Sequence, residues 1–454
     1  MRPCLALILG GALAAQGYRP ELLRAHVDFL ASDALEGRNT PSRGLDAAAE
    51  YIKAQFVRIG LKPIGNDGYF QTQTWTLATP NADGFRLTIR EGERTLNITR
   101  DFVELDAWTA VRLADREAKR VTWEAATKLK ADLSGGVWIV QMPATLPRAA
   151  YRAFLADVAQ HKPALVILAG GTAPNRRPRD PAVPVVRVKQ AGPLLEFAEP
   201  RVTATLSEAR QETAKVRNVV GLLEGRDPRL KDTCVMVTAH YDHLGLAPSG
   251  ADRVFNGAND NASGVAGVLE IAAEMATKRR PRRSVMFVAF FGEEQGLLGS
   301  NYYREHPLVP LAKTVAMLNF EQLGRTDSAG GPNVKTVNMT GFDFSDLKRW
   351  LARAAGQTGV KLVKDERFSD QFFGSSDNRA LAVAGVVAHT LSVTYHFPDY
   401  HAVGDEAGKI DYANMAAVVR MLGRGVQLVA GDRVAPQWDA ANTKTEVYRK
   451  ASGK

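Results

Sequence analysis

Strand-length hydrophobic runs alternate with helical patterns over the second half of the chain, beginning at Asn218. The runs are NVVGLL, DTCVMVTAH, RSVMFVAFF, TVAMLNF and AVAGVVAHTLSV, and helical stretches such as GVAGVLEIAAEMA and SDLKRWLARAAG lie between them. This alternation is typical of a sheet whose strands are joined by helices that cover both of its faces. Residues 216–435 are therefore predicted to form a mixed α/β domain with a mainly parallel sheet.

The remaining segments have different patterns. Residues 16–75 have helical spacing, as in LDAAAEYIKAQFVRIGL, and are predicted to be a helical N-terminal part of the same domain. Residues 76–215 contain short β-like runs such as GVWIVQM and ALVILAG, one helical stretch and scattered Pro and Gly. They are predicted to form a small accessory domain, because 454 residues exceed what one hydrophobic core supports. Residues 436–454 are a polar tail, and we expect the part after Trp438 to fray.

The first 15 residues, MRPCLALILGGALAA, combine Arg2, an apolar run and small residues. This pattern predicts a signal peptide and export to the periplasm or the extracellular space, whereas the alternative is a buried N-terminal helix. The run is too short to cross a bilayer, and no other stretch approaches the apolar length of a membrane helix. Removal of the peptide would leave Cys234 alone, so this residue is predicted to be a small buried side chain without a disulfide partner.

The charge of the chain changes this picture little. The formal net charge of +9 would become +8 on loss of Arg2. Basic residues are spread along the chain, and the one dense cluster, residues 278–283, lies at the end of a predicted helix, where cations complement the helix dipole. No nucleic-acid-binding motif accompanies it. We therefore expect a solvated basic face and no nucleic-acid partner.

Histidines and carboxylates stand just after the predicted strands. In open α/β sheets, ligands gather beyond the carboxyl ends of the strands. One edge of the sheet is therefore expected to collect two imidazoles and four carboxylates, which would repel one another strongly unless a cation neutralised them. The residues are His240, Asp260, Glu293, Glu294, Glu321 and His401.

This number of donors predicts two metal ions. Zinc binds imidazole nitrogen and carboxylate oxygen, and two ions about 3.5 to 4 Å apart need a shared ligand. Asp260 in NGANDNASG is the candidate, because small neighbours such as Gly257 and Gly264 let the backbone approach two cations closely. Taken alone, the segment would be a loop that ends in a helix N-cap. Asn261 is predicted to follow a strained or cis peptide bond, a feature found mainly at functional sites.

Asp242 and the adjacent glutamates have predicted roles beside these ions. Asp242 lies two positions after His240, on the same side of an extended chain, and is predicted to accept a hydrogen bond from the distal nitrogen of that imidazole. In GEEQG, Glu294 is predicted to bind metal and Glu293 to take a proton from the bound water. Each residue alone would be better explained as structural, and only their combination favours a catalytic site.

These motifs resemble those of the secreted co-catalytic two-zinc peptidases, which include bacterial leucyl aminopeptidase, aminopeptidase Y and the glutamate carboxypeptidase type. The similarity covers nearly the whole mature chain, and its motifs occur in the family's order. It implies the zinc exopeptidase fold, with residues 76–215 as an inserted protease-associated domain. The motifs are AHYDHLG, NGANDNASG, FFGEEQGLLGS, LNFEQLGR and PDYHAVGDEAGKID.

The resemblance also implies two zinc ions and a ligand set for each. Glu294 and His401 belong with one zinc. His240 and Glu321 belong with the other, and Asp260 bridges the two. Glu321 stands where the best-known members have Asp, so its oxygen donor is on a longer side chain.

Two other positions leave alternatives. Ser376-Asp377-Asn378 stands where relatives often have Ser-Asp-His or Ser-Asp-Tyr. His396 in YHFPD competes with His401 as a ligand, and His401 is preferred because DEAGKIDY follows it at the family's spacing. The histidines then assigned to supporting roles are His243, His389 and His396.

The implied reaction is hydrolysis of a peptide bond next to a free N-terminus, with Glu293 as the general base. Three alternatives remain. A carboxypeptidase of the same fold would need basic side chains that bind the terminal carboxylate of its substrate. An enzyme that cyclises N-terminal glutamine needs only one zinc, and a metal-free binding protein needs none of the donors.

Overall fold

The computed structural model describes residues 18–79, 81–104, 109–128, 134–171, 183–328 and 331–453. The predicted signal peptide, residues 1–15, lies outside these ranges. The chain divides into two compact units, of which unit 1 contains the residues up to Gln73 and from Val216 onward, and unit 2 contains Thr74–Lys215.

The elements are numbered in chain order. The helices are α1 (Pro20–Leu30), α2 (Arg43–Ile59), α3 (Trp123–Lys128), α4 (Arg148–His161), α5 (Gly192–Leu195), α6 (Ser263–Thr277), α7 (Leu298–Glu305), α8 (Lys348–Thr358), α9 (Asn378–Ala382), α10 (Tyr412–Gly431) and α11 (Glu446–Ala451). The strands are β1 (Lys62–Pro63), β2 (Phe70–Thr79), β3 (Arg86–Glu91), β4 (Arg94–Ile98), β5 (Val103–Glu104), β6 (Val111–Glu117), β7 (Lys119–Thr122), β8 (Val137–Gln141), β9 (Leu165–Ala169), β10 (Val185–Val188), β11 (Arg201–Leu206), β12 (Arg210–Leu223), β13 (Cys234–His240), β14 (Gly245–Leu246), β15 (Val254–Phe255), β16 (Ser284–Phe290), β17 (Thr314–Glu321), β18 (Thr336–Met339), β19 (Lys361–Val363) and β20 (Ala388–Ser392).

Unit 1 is built on one large sheet. Within the described ranges it has nine strands, in the order β1-β12-β16-β13-β17-β20-β18-β19, with β2 also paired to β12. The four central strands β16, β13, β17 and β20 are parallel, whereas β12 and β18 run antiparallel to their central neighbours. The predicted mixed, mainly parallel α/β fold is confirmed.

Two groups of helices cover the central strands. Helices α1, α2, α6, α8 and α10 pack on one another, and α6 and α10 contact β13. Helices α7 and α9 form the other group, and α9 contacts β17 and β20. Every residue of β13 and β16 is buried, as expected of parallel strands that are covered on both faces. The carboxyl ends of four adjacent parallel strands therefore meet at one edge.

The boundaries of α2 illustrate how local sequence sets these elements. The Ser42 hydroxyl accepts a backbone N–H in the first turn at 3.0 Å, which is an N-cap. Gly60 ends the helix in the left-handed conformation, at φ +80°. Between them, Ala48, Ile52 and Phe56 are buried at intervals of one turn, so one face of α2 packs into the core.

Unit 2 is an α/β unit with two sheets in its described residues. One sheet has the order β5-β10-β9-β8-β7 and the other, antiparallel, has the order β4-β3-β11-β6. Alternate residues of β8 face different apolar clusters, because successive side chains of a strand point to opposite faces. Val137 and Ile139 belong to one cluster, and Trp138 and Val140 belong to the other.

The expectation that the chain frays after Trp438 is wrong for the residues that the structure describes, which end at residue 453 and include α11. Trp438 is buried, and its Nε1–H donates to the Gly385 carbonyl at 3.0 Å. Its ring packs against Tyr448 of α11, with 5.0 Å between the ring centroids. Two aromatic side chains thus anchor a segment whose overall composition is polar.

Two other sequence expectations concern β13 and membrane spans. Cys234 is buried in β13 as predicted, and burial raises the pKa of its thiol to about 11. Among the described residues, none of the helices has the length and apolar character that crossing a membrane requires.

His389 in β20 is a buried histidine that the fold holds in its neutral form. Its Nδ1–H donates to the Thr340 carbonyl at 2.8 Å, and its Nε2 lies 2.7 Å from the Ser345 hydroxyl. Burial lowers the pKa of His389 to about 4, although the bond to Thr340 opposes this shift. A depressed histidine pKa means that the unfolded chain takes up the proton first as the pH falls.

We predict that His389 makes the protein less stable as the pH falls from 6.5 towards 4. The contribution is complete above the ordinary histidine pKa of 6.5, and about 2 kcal/mol of it is lost at pH 5. Urea denaturation at pH 7 and pH 5 should therefore show a smaller pH-dependent loss in His389→Gln than in the wild type. Equal losses in the two proteins would contradict this account.

Candidate metal and catalytic site

One group of donors lies at the ends of β13 and β17. His240 and Glu321 are the last residues of these strands, and Asp260 lies in the turn Ala258–Ala262 that leads into α6. His240 Nε2 is 3.3 Å from Asp260 Oδ1 and 3.3 Å from Glu321 Oε2. All three side chains are buried, and one donor atom from each converges on a position that could hold a metal ion.

A second group contains the other oxygen of Asp260. His401 Nε2 is 3.2 Å from Asp260 Oδ2 and 3.2 Å from Glu294 Oε2. Glu294 follows β16, and His401 lies after β20 with its ring stacked on Tyr400 at 3.9 Å. The two oxygens of Asp260 therefore face different imidazoles, as a shared ligand requires. The peptide bond between Asp260 and Asn261 is cis, which agrees with the sequence prediction.

In both groups, the carboxylates raise the pKa of the neighbouring imidazoles and so favour their charged form. Burial alone would lower the pKa of His401, but the contacts with Asp260 and Glu294 raise it to about 10. Burial also opposes protonation of His240, yet Glu321 and Asp260 hold its pKa well above the ordinary value. The site therefore attracts positive charge, which divalent cations bound by neutral imidazoles would also provide.

Asp242 supports both glutamates that follow β16. Its carboxylate accepts the backbone N–H of Glu293 at 3.0 Å and that of Glu294 at 3.3 Å. His240 Nδ1 lies 3.6 Å from the Asp242 carboxylate but 3.2 Å from the Asp242 carbonyl oxygen. The nearer acceptor for the imidazole is thus the backbone of Asp242, and its side chain positions the glutamate pair.

Asp405 holds the turn that carries Asp260, a role that the sequence analysis missed. Its buried carboxylate accepts the N–H groups of Asn259, at 2.9 and 3.1 Å, and of Asp260, at 2.9 Å. Its carbonyl accepts the N–H of Ala258 at 3.0 Å. The GDEAGKID segment after His401 contains Asp405, but its sequence alone gives no sign of these contacts.

Two asparagine side chains tie the same turn to the end of β17. Asn259 Oδ1 accepts the N–H groups of Gly324 and Arg325 at 2.8 and 3.0 Å. The Asn261 amide donates to the Phe320 carbonyl at 2.8 Å. The asparagines of NGANDNASG therefore fix the position of Asp260 relative to Glu321, at the end of the neighbouring strand.

Arg38 is a buried cation next to the site, and the sequence analysis did not identify it either. Its guanidinium donates to the carbonyls of Tyr241 at 2.8 Å, Asn256 at 2.7 Å and Gly257 at 3.1 Å, and also to that of Leu30. Burial lowers its pKa to about 10, and nearby carboxylates oppose that shift. Arg38 thus joins the loop after β13 to the turn that carries Asp260.

The histidines that compete as metal ligands, His396, His401 and His243, have different surroundings in the structure. His396 is exposed and packs among aromatic rings, 5.2 Å from the ring of Phe372. His243, which the sequence analysis gave a supporting role, lies closer to the donors: its Nδ1 is 2.8 Å from Glu294 Oε1. Donor atoms of His243, Asp260 and Glu294 also converge, so His243 competes with His401 for the second metal position.

Comparison with known proteins relates unit 1 to peptidases. Residues 218–425 match the family described as Peptidase family M28. A "Probable zinc metalloprotease" of Pyricularia oryzae is 26% identical over 296 residues, which are 57% of this chain and 56% of that protein. "Aminopeptidase YwaD" of Bacillus subtilis is 32% identical over 215 residues, 47% of this chain and 43% of that protein. The chain thus spans about half the length of these curated relatives.

Solved structures share the fold over a larger part of the chain. An aminopeptidase from Aneurinibacillus sp. strain AM-1 aligns with a TM-score of 0.58 and 18% identity, over 94% of this chain and 99% of its own. The Bacillus subtilis zinc aminopeptidase BSAP aligns with a TM-score of 0.57 and 17% identity, over 92% and 97% of the two chains. At this identity the likeness establishes the fold.

Gly257 is a position where the site leaves no room for a side chain. Its φ is +59°, and a Cβ atom there would lie 2.3 Å from the Asp260 carbonyl oxygen and 2.6 Å from the His243 ring. Gly359 has a similar φ of +70°, but a Cβ atom there would meet nothing within 4 Å. The two glycines share the left-handed conformation and differ only in crowding.

We predict that Gly359→Ala lowers the free energy of unfolding by about 1 kcal/mol through backbone strain alone. Gly257→Ala should cost roughly 2 kcal/mol more, because overpacking displaces Asp260 or His243, and it should bind less zinc per chain. Urea denaturation and elemental analysis measure the two effects. Equal destabilisation with unchanged zinc content would show that close approach at Gly257 is unimportant.

Proposed function

We propose that this protein is a zinc-dependent aminopeptidase of family M28 that removes residues from the free N-terminus of peptides. The observation that carries the proposal is the pair of donor groups that share Asp260, with Glu293 lining the same cavity. The family match over residues 218–425 supports it. The names of the curated relatives, a zinc metalloprotease and an aminopeptidase, agree with it.

Two zinc ions fit the chemistry of the donors. His240, Asp260 and Glu321 would hold one ion, and Asp260, Glu294 and His401 would hold the other. Imidazole nitrogen and carboxylate oxygen are ligands that zinc prefers. Three buried carboxylates at such short range also require positive charge. Zinc bound there would supply Lewis acidity, which polarises a carbonyl group and makes water a stronger acid.

Glu293 is the residue that would carry the proton. Burial raises the pKa of its carboxyl well above the usual range; His240 opposes this shift and the neighbouring Glu294 and Glu321 add to it. Cations between these carboxylates would lower the pKa again and leave Glu293 ionised. Glu293 would then accept the proton of the attacking water and pass it to the amine that leaves.

The charge of the cavity favours the N-terminus of a peptide over its C-terminus. Carboxylates of Asp260, Glu293 and Glu321 line the cavity, and no described Lys or Arg does. A carboxypeptidase would need such a cation to bind the terminal carboxylate of its substrate, whereas the ammonium group of a free N-terminus suits an acidic lining. This contrast favours an aminopeptidase among the alternatives left by the sequence.

The same proposal extends to the remaining parts of the chain. Unit 2, Thr74–Lys215, would be the protease-associated domain inserted in the peptidase domain. Residues 1–15 would direct export to the periplasm or the extracellular space. Each of these two assignments rests on the sequence pattern and the family resemblance.

Mass spectrometry of a mixed peptide set tests the proposed function. Zinc-loaded protein should shorten peptides with free N-termini step by step, leave N-acetylated copies of the same peptides intact, and do neither after chelation. Glu293→Gln should retain zinc and lose activity by about a factor of 10³, because only proton transfer is removed. The matched control is Glu305→Gln, which changes an exposed glutamate at the end of α7 and should behave as the wild type.

Two results would contradict the proposal. Loss of residues from the C-terminus only would identify a carboxypeptidase. Near-normal turnover by a zinc-loaded Glu293→Gln protein would remove Glu293 from the mechanism.

A further inference from the structure

The cavity beside the donors reaches well beyond them. It has a volume of about 260 Å³ and extends from His240, Asp260 and Glu321 along the ends of β17 and β20. Ser392, the last residue of β20, lies opposite Glu321 in the register of the two strands. The chain that follows Ser392 supplies a further part of the lining. A substrate residue held at the donors would therefore extend its side chain towards this segment.

Aromatic rings form part of the cavity wall. Phe372 and Tyr395 line it, with 5.6 Å between their ring centroids, and Tyr400 lines it beside His401. Apolar ring faces of this kind cover the methylene groups of a bound side chain. The ring faces do not select the functional group at the end of that side chain.

Several hydroxyl groups of the lining are already paired within the protein. Thr390 Oγ1 donates to Asn378 Oδ1 at 2.9 Å, and Thr394 Oγ1 donates to the His396 carbonyl at 2.7 Å. Thr340 Oγ1 accepts the N–H of Thr390 at 3.0 Å. The hydroxyl groups of these three threonines therefore stabilise the cavity wall through hydrogen bonds within the protein.

Three other polar atoms of the lining have no partner in the described part of the chain, although all three are buried. They are Gln322 Oε1, Ser392 Oγ and Tyr395 OH. Gln322 and Ser392 lie on adjacent strand ends, because the Gln322 carbonyl accepts the N–H of Val393 at 3.3 Å. Buried polar groups are normally paired. A cluster of three in one cavity points to a ligand that pairs them.

We infer that this cavity selects peptides whose N-terminal residue has a neutral amide side chain, with glutamine as the best fit; the inference rests on the proposed function. An amide offers two N–H donors and a carbonyl acceptor. One N–H can donate to Gln322 Oε1, while the hydroxyls of Ser392 and Tyr395 can pair with the remaining groups. The two methylene groups of glutamine between Cα and the amide suit the aromatic wall.

Other substrate side chains form fewer hydrogen bonds with Gln322, Ser392 and Tyr395. The side chains of leucine and methionine, which cannot donate, leave Gln322 Oε1 unpaired. The carboxylate of glutamate would be buried beside Glu321 with no described Lys or Arg in the lining to pair it. The cavity therefore discriminates by hydrogen bonding more than by size.

The test compares aminoacyl-coumarin substrates that carry glutamine, methionine, leucine or glutamate. We expect kcat/KM to be at least about tenfold higher for glutamine than for methionine, which has similar length without an amide. Ser392→Ala and Tyr395→Phe should each lower the ratio of the glutamine to the methionine value about fivefold to tenfold, as expected for one lost hydrogen bond. The matched control Tyr448→Phe removes a hydroxyl outside the cavity and should keep the ratio.

Calorimetric binding of free L-glutamine and L-methionine to the zinc-loaded protein separates this inference from the proposed function. Tighter binding of glutamine that is lost in Ser392→Ala and Tyr395→Phe supports the inference, even if no substrate is hydrolysed and the aminopeptidase proposal fails. Hydrolysis with methionine or leucine preferred, or equal binding of the two amino acids, would overturn it.

Discussion

The burial of Asp260, Glu294 and Glu321 against one another is the constraint on which the site depends. Carboxylates removed from water at such short distances are unstable without positive charge. The described lining of the cavity contains no Lys or Arg, and the imidazoles of His240 and His401 contact the carboxylates at 3.2 to 3.3 Å. Divalent cations satisfy the same requirement, which explains why one sheet edge collects these residue types.

A rigid support holds these charges in place. Asp405 fixes the backbone of the turn that carries Asp260, and Arg38 joins that turn to the loop after β13. Asp242 positions both glutamates after β16 through their N–H groups. Each contact uses a buried charged group that bonds to backbone, so displacement of any one would leave unpaired groups in the interior. The hydrogen bonds of the fold therefore set the geometry of the donors.

The sequence predicted the fold and the donors because both follow short-range patterns. His240 and Glu321 end two neighbouring strands, and Asp260 lies in the loop after the first of them. Because ligands gather at the carboxyl ends of such strands, the sequence predicts all three residues at one edge of the sheet. The supporting contacts could not be predicted, since Arg38 meets its carbonyl partners across more than 200 residues of chain. The docking of Trp438 was missed for the same reason. Which of His243 and His401 serves as a ligand stays a prediction.

The most direct test of the account is the number and position of the zinc ions. Crystals of the metal-loaded protein should give two anomalous-scattering peaks at the zinc absorption edge, one beside each oxygen of Asp260. One peak should lie next to His240 and the other next to His401. A single peak, or a second ion bound by His243 with His401 uninvolved, would contradict the account.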